Sequence, residues 1–313
     1  MKTALIYDKI ASGGKKSWVD AEYETPETIN VLLKAIQAHS DEAVSIAFGP
    51  GLVDQLIDQD PDLVFNIAEG HSGPCRESIV PLVLEYLNIP YTGSDGVTLG
   101  VSLNKALTKR LATVIGIRTP RFYLFKSSQE VEKLGKELDF PLLLKPNFGG
   151  SRIGIEPACV VHDWKSLSTS ISDYILRYGQ PCLAEEHIEG TDVTIGLLGN
   201  SPVEVLPAGK IITQKGKRKV VCPFPLSRSL ERELRSSSLK IYELIGAMDL
   251  SRLDYILDKK GQLYFLEINP LPGLSPYYGI MPVLAAAAGY EYEELIGRII
   301  EVALERHRKG IRV

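Results

Sequence analysis

The first ninety residues carry apolar runs of two kinds. Thr3–Tyr7, Ala43–Phe48 and Leu63–Ile67 are short runs that read as buried strands. Between the first two, Pro26–Ala38 reads as a helix, with Thr25 placed to cap it and Pro26 at its first position. A second helix, Ser78–Leu87, follows the third strand. Such βαβ alternation predicts a small parallel sheet covered by helices.

The pattern then changes. A hinge-like stretch, residues 89–94, precedes a helix expected from Ser102 to about Ile115 and ended by Gly116. Ser127 and Glu130 have capping-box spacing at the start of a helix running to about Leu138. Phe140–Leu144 reads as a strand and Asp163–Tyr178 as an amphipathic helix closed by Gly179. From Leu183 onward strands dominate: Leu183–Ile188, Val193–Gly199, Val203–Ile212, Leu253–Leu257 and Leu263–Ile268, the last two joined by a hairpin turn at residues 259–262. Helices are expected near Leu230–Ala247 and over Glu291–His307, the latter with basic residues in its last turns, as the helix dipole favours. The fold class is therefore mixed α/β and α+β, in three lobes: an N-terminal α/β domain over 1–92, a central lobe over 93–182 and a C-terminal lobe over 183–313.

Composition narrows the function. A length of 313 residues accommodates several compact lobes, and a formal charge of −4 leaves no electrostatic footprint for nucleic acid. The N-terminal apolar stretch is too short for a secretory signal, and no segment is long enough to span a bilayer. Cys75, Cys159, Cys182 and Cys222 are scattered without metal-ligand spacing, so free, mostly buried thiols and a cytoplasmic location are expected. The sequence sets no oligomeric state, and a homodimer is the commonest soluble assembly.

Three segments carry chemistry. Glu267 and Asn269 lie two apart on a strand and share a face, and Asp254 on the partner strand can point into the same space. Two carboxylates and an amide oxygen are hard ligands that suit Mg²⁺ (or Mn²⁺) beside substrate phosphates. Arg252, on the same face as Asp254, could neutralise charge developing on a reacting carboxylate. The second segment is an apolar strand ending at Lys145, followed by the glycine-rich residues 147–154; a lysine there can reach phosphate while Gly149, Gly150 and Gly154 let backbone N–H groups approach an anion. This is not the Walker pattern, whose glycines precede the lysine. In the third, Glu185 to Asp192, a carboxylate can accept from an adenine amine, backbone can pair with the ring edge, Asp192 can bind ribose hydroxyls and His187 can wall the base pocket.

In this order the three segments resemble the ATP-grasp superfamily and, more closely, the D-alanine–D-alanine ligase family. Further matches are Asn88-Ile-Pro-Tyr-Thr-Gly-Ser94, Ser102-Leu-Asn-Lys105 and Glu267-Ile-Asn-Pro-Leu-Pro-Gly-Leu-Ser275, so the resemblance covers about residues 61–300. It implies an ATP-grasp fold with a small parallel α/β domain in front, and an ATP-dependent ligase of small amino-acid-like substrates. By the resemblance, Lys105 and Lys145 hold the ATP phosphates, Glu185, Ile188 and Asp192 bind adenine and ribose, and Asp254, Glu267 and Asn269 hold magnesium. Arg252 and the Gly273 N–H match the groups around the oxyanion, Ser151 the serine of the active-site loop, and His71 the substrate-facing histidine.

The chain also departs from the family pattern. The N-terminal Gly-Gly-x-Ser-x-Glu-Arg segment, whose glutamate receives the first substrate's amine, is absent, which leaves Glu22, Glu24 and Glu69 as alternatives. The basic stretch 214–219 has no tyrosine where the family's lid has a Lys-Tyr pair; it reads as a lid over phosphate or as a solvated basic loop. Tyr278 stands roughly where a serine would receive the acceptor carboxylate. These departures are expected to redirect substrate choice away from D-alanine.

Overall fold

The computed structural model describes residues 1–9, 18–133, 138–150, 159–214 and 217–310. Strands β1 (Lys2–Tyr7), β2 (Glu42–Ala47) and β3 (Leu63–Asn66) form a parallel sheet in the order β2-β1-β3. Helix α1 (Pro26–Gln37) covers one face, where Leu32 and Ile36 meet Leu5 and Phe65; α2 (Leu52–Gln59) and α3 (Ile79–Leu87) cover the other, against Ala4, Ile6 and Val64. Helices cover both faces of the sheet, which is why these strands read as largely apolar runs. The Thr25 side chain caps α1, accepting from the Thr28 N–H at 3.3 Å. Helix α2 escapes the sequence reading because it is eight residues long and buries only Leu52 and Leu56.

The helix expected from Ser102 to Ile115 is two helices, α4 (Gly96–Leu103) and α5 (Lys105–Val114). Asn104 breaks them: its backbone is extended, and its side-chain oxygen caps α5 at the Leu107 N–H and accepts from Asn147 at 2.9 Å. Lys105 is thereby the first residue of a helix rather than an interior one.

A central antiparallel sheet, in the order β4-β7-β5-β6, joins β4 (Phe122–Phe125), β5 (Leu142–Pro146), β6 (Val160–Val161) and β7 (Cys182–Glu186). Helices α6 (Gln129–Lys133) and α7 (Trp164–Tyr178) pack on it. Asp163 and Ser166 form a capping box on α7, and Gly179 ends it in the left-handed conformation at φ 62°.

The C-terminal sheet is antiparallel, in the order β11-β10-β8-β12-β13, with β9 also on β8. Its strands are β8 (Gly190–Leu198), β9 (Glu204–Val205), β10 (Gly209–Gln214), β11 (Lys217–Val221), β12 (Leu250–Asp258) and β13 (Leu263–Asn269). The single strand expected over 203–212 is two, since Pro207 between them has no N–H for a ladder. Helix α8 (Arg228–Leu244) covers one face of this sheet; α9 (Ile280–Ala287) and α10 (Tyr292–Arg308) cover the other and share a core with α1.

The hinge-like stretch is locked in place. Buried Asp249 accepts from the Gly93 N–H at 2.8 Å and pairs with Arg306 at 2.9 Å, while Arg306 Nη2 also donates to the Tyr91 carbonyl at 2.7 Å. The four cysteines are free thiols, of which Cys75 is exposed and Cys159 and Cys182 are buried. Among the described residues no helix is long and apolar enough to cross a membrane.

Candidate active site

The β12–β13 hairpin sets the first part of the site. Cross-strand register places Asp254 opposite Glu267 and Arg252 opposite Asn269, and on the other side of β12 it places Thr194 opposite Asp254. Alternation along each strand then turns Asp192, Thr194, Arg252, Asp254, Glu267 and Asn269 to one sheet face. Asp254 accepts from Thr194 Oγ1 at 2.6 Å and from Arg252 Nε and Nη2 at 3.1 Å each. Burial pushes the Arg252 pKa down, but Asp254 outweighs it and holds the guanidinium above its ordinary value. Arg252 is thus forked onto Asp254, which fixes its orientation toward the cleft.

Glu267 receives Lys105 at 2.8 Å. The same ammonium donates to the Gly149 carbonyl, so the start of α5, the hairpin and the glycine-rich segment meet at one cation. Burial would raise the Glu267 carboxyl, yet Lys105, Lys145 and Arg252 together hold it well below its ordinary range. Asn269 accepts from the Leu271 N–H at 3.0 Å, which leaves its second lone pair available. Among the described residues no three His, Cys, Asp or Glu side chains converge as a complete metal cage. Two carboxylates and one amide oxygen still suit an ion that takes few protein oxygens and completes its shell with phosphate and water.

A second set of charges lies on the central sheet. Lys145 is opposite Leu183, so Glu185 is its diagonal neighbour on the same face; the two pair at 2.6 Å. The other Glu185 oxygen lies 3.0 Å from Lys109, which is fully buried and also donates to Thr119 Oγ1 at 2.8 Å. Glu185, expected to face an adenine amine, has a carboxylate that bridges two lysines instead. Burial would raise this carboxyl, but Lys109 and Lys145 hold it below its ordinary range; burial also pushes the Lys109 ammonium down to about 8. Ile188 and Asp192 are half-buried at the entry to β8 and on β8 itself.

The third part gathers at the N-terminal sheet. Glu22 pairs with Arg76 at 2.5 Å and accepts from the Gly150 N–H. Glu24 faces the 273–278 loop: Tyr278 OH donates to it at 2.5 Å, and a Cβ on Gly273 would come within 3.3 Å of it. Tyr278 OH also accepts from the Thr25 N–H at 3.3 Å, and Thr28 Oγ1 lies 2.9 Å from Ser275 Oγ. His71 is exposed, with Nδ1 2.8 Å from Tyr23 OH and its ring against Phe48. Ser151 lies outside the described residues, as do Lys215 and Gly216 of the basic stretch. Lys109, Thr194, Arg76 and Glu77 were not singled out from the sequence; only Lys109 had a signal, being one helical turn after Lys105.

These charges set a pH profile for stability. Glu185 and Glu267 ionise more readily folded than unfolded, so their contribution is complete above pH 4.5 and is lost as pH falls through their lower folded values. Burial has the opposite effect on Glu77, raised to about 7, and on Glu69, Asp8 and Glu24: these bind protons more tightly when folded, so they favour the folded state more as pH falls from 7 toward 4.5. Urea midpoints are expected to rise between pH 7 and 5 and to fall below about 4.5. A midpoint that drops steadily from pH 7 downward would contradict the assigned directions.

The profile of a family described as the D-alanine–D-alanine ligase C-terminus matches residues 111–301. A D-alanine–D-alanine ligase of Aquifex aeolicus is 31% identical over 301 residues, covering 93% of this chain and 98% of that protein. An uncharacterised protein, y4sG of Sinorhizobium fredii, is 32% identical over 260 residues, covering 78% of this chain and 75% of that one. Among solved structures, a Bacillus anthracis D-alanine–D-alanine ligase complexed with ATP superposes with a TM-score of 0.79 at 24% identity, over 99% of this chain and all of that one. The VanG D-Ala:D-Ser ligase of Enterococcus faecalis gives 0.75 at 19% identity, over 96% of this chain and 99% of that one. These superpositions show the ATP-grasp fold.

Proposed function

This chain belongs to the D-alanine–D-alanine ligase family, and from that premise we propose that it is an ATP-dependent ligase joining two small amino-acid-like substrates through an acyl phosphate. The observation that carries the proposal is the meeting of three charge pairs, Lys105–Glu267, Arg252–Asp254 and Lys145–Glu185, drawn from segments far apart in the chain. Nucleotide binding alone needs no such set of carboxylates beside the phosphate lysines.

A carboxylate oxygen of the first substrate attacks the terminal phosphorus of ATP and ADP leaves. The amine of the second substrate then attacks the acyl carbon, loses a proton, and phosphate departs with one former carboxylate oxygen. Lys105 and Lys145 bind the phosphates, each pre-oriented by its carboxylate partner. Asp254, Glu267 and Asn269 would hold Mg²⁺ (or Mn²⁺), which when bound neutralises phosphate charge. Arg252, steered by Asp254, and the Gly273 N–H stabilise the oxyanion of the tetrahedral intermediate. Glu185 and Ile188 belong to the adenine pocket, with Glu185 also holding Lys145 toward the phosphates, and Asp192 takes the ribose hydroxyls. By the family resemblance Ser151 serves as the active-site loop serine, and His71, held by Tyr23, serves the substrate end. Strands β10 and β11 pair antiparallel, and the basic residues of this part of the chain suit a lid that closes over phosphate and excludes water from the acyl phosphate. Tyr278, whose hydroxyl donates to Glu24, stands on the acceptor side in place of the small hydroxyl of the family pattern. The division into lobes at 92 and 182, a cytoplasmic location and a homodimer belong to the same proposal. The test is release of ADP and phosphate with pairs of amino acids, with the condensed product identified by mass. ATP turnover that no amino acid stimulates would exclude the ligase assignment.

A further inference from the structure

A buried charge cluster closes the carboxyl ends of β1 and β3, the edge at which open α/β sheets take ligands. Asp8, just past β1, accepts from the Glu69 N–H at 2.5 Å and from the Gly70 N–H at 3.2 Å. Gly70, at φ 77°, lets the next segment come close: a Cβ there would stand 2.5 Å from the Arg76 carbonyl oxygen. Arg76 is only 1% exposed. Its Nη2 donates to Glu22 at 2.5 Å and lies 3.4 Å from Glu77, and its guanidinium carbon is 6.0 Å from the centroid of Trp18. Its Nε and Nη1 are buried without a hydrogen-bond partner.

Buried donors are rarely left unused, and those of a guanidinium least of all. The orphaned groups here are N–H, so what would complete them is a lone pair. The cluster also faces the reaction. Glu22 binds the Gly150 N–H of the glycine-rich segment, and the preceding carbonyl, of Gly149, receives the Lys105 ammonium. Through Glu22 the Arg76 guanidinium is tied to the segment that holds Lys105, so a substrate bound at Lys105 can extend toward it.

We infer that Arg76 is a specificity determinant for the substrate that is phosphorylated, and that this substrate is an amino acid with an oxygen acceptor on its side chain (hydroxyl, carboxamide or carboxylate) rather than alanine. The inference rests on the ligase reading above. A methyl side chain would leave both N–H groups unpaired in the closed site; an oxygen acceptor would satisfy at least one of them.

The test traps the acyl phosphate with hydroxylamine, which makes the measurement independent of the second substrate. The full-length enzyme with ATP is given each enantiomer of alanine, valine, serine, threonine, asparagine, glutamine, aspartate and glutamate in turn, and hydroxamate is measured. At least one side-chain acceptor should exceed both alanines by about 10–100-fold in kcat/KM, the discrimination expected of a hydrogen bond to a charged donor. Arg76→Lys keeps a cation opposite Glu22 but lacks the forked donors, and it should shrink that ratio to within about threefold. Preference for alanine or valine in the wild-type enzyme overturns the inference and leaves the ligase reading standing, as does a ratio that survives Arg76→Lys. Absence of hydroxamate from every amino acid overturns the ligase reading, and the inference with it. Should Arg76→Lys fail to fold, the wild-type panel decides alone.

Discussion

Glu267→Gln should lower turnover by about 10²–10³-fold while leaving the fold intact, the usual effect of removing one preorganised charge from a reacting centre. The substitution keeps the shape of the side chain and its place opposite Asp254, so circular dichroism should be unchanged, while the urea midpoint near pH 7 should fall because the charge that Lys105 stabilises is lost. What changes is electrostatic. Lys105 loses the anion that lies 2.8 Å from its ammonium, and the oxygen set around phosphate loses one of its two carboxylates. Asp254→Asn should be similarly damaging for a different reason, since it releases the fork that orients Arg252. Turnover within a few fold of wild type in either variant would remove these residues from the site.

The second large effect concerns stability. Glu185→Ala should cost about 3–5 kcal/mol, because it leaves the buried ammonium groups of Lys109 and Lys145 without the carboxylate between them. That is a large share of the roughly 5–15 kcal/mol that holds a domain folded. A loss under about 1 kcal/mol in urea denaturation would mean that the two lysines are stably charged without Glu185, as exposed residues are. Glu185→Gln, which keeps the volume, separates the roles: it should still bind ATP more weakly than wild type, since Lys145 loses the anion that aims it.

The hairpin geometry was legible because period-2 alternation is a strong rule: once Glu267 and Asn269 are on a strand, their shared face follows, and a tight turn returns Asp254 to the same side. Lys145 was legible as the polar end of an apolar strand. The helix break at Asn104 was not, since residues 102–115 keep helical periodicity across it and the cause is a tertiary contact with Asn147. Helix α9 was also missed; its Ala-rich run contains Pro282, which is harmless in a first turn whose N–H groups have no intrahelical partner. Buried ion pairs were the least legible feature. The bridge from Glu185 to two lysines could not be read because a sequence gives no sign that Lys109 turns inward to meet it, and Arg76 lay in a loop with no periodic pattern to place it. In both cases the determining contact joins residues dozens of positions apart.

The central claim is that a carboxylate is activated by phosphorylation before an amine attacks it, and oxygen transfer tests this directly. A substrate amino acid labelled with ¹⁸O in both carboxylate oxygens is incubated with ATP, the second substrate and enzyme, and the released phosphate is analysed by mass. An acyl phosphate hands one labelled oxygen to each phosphate released with product, so ¹⁸O should appear in phosphate in one-to-one ratio with the condensed product. Unlabelled phosphate, or label found in AMP, would contradict the account.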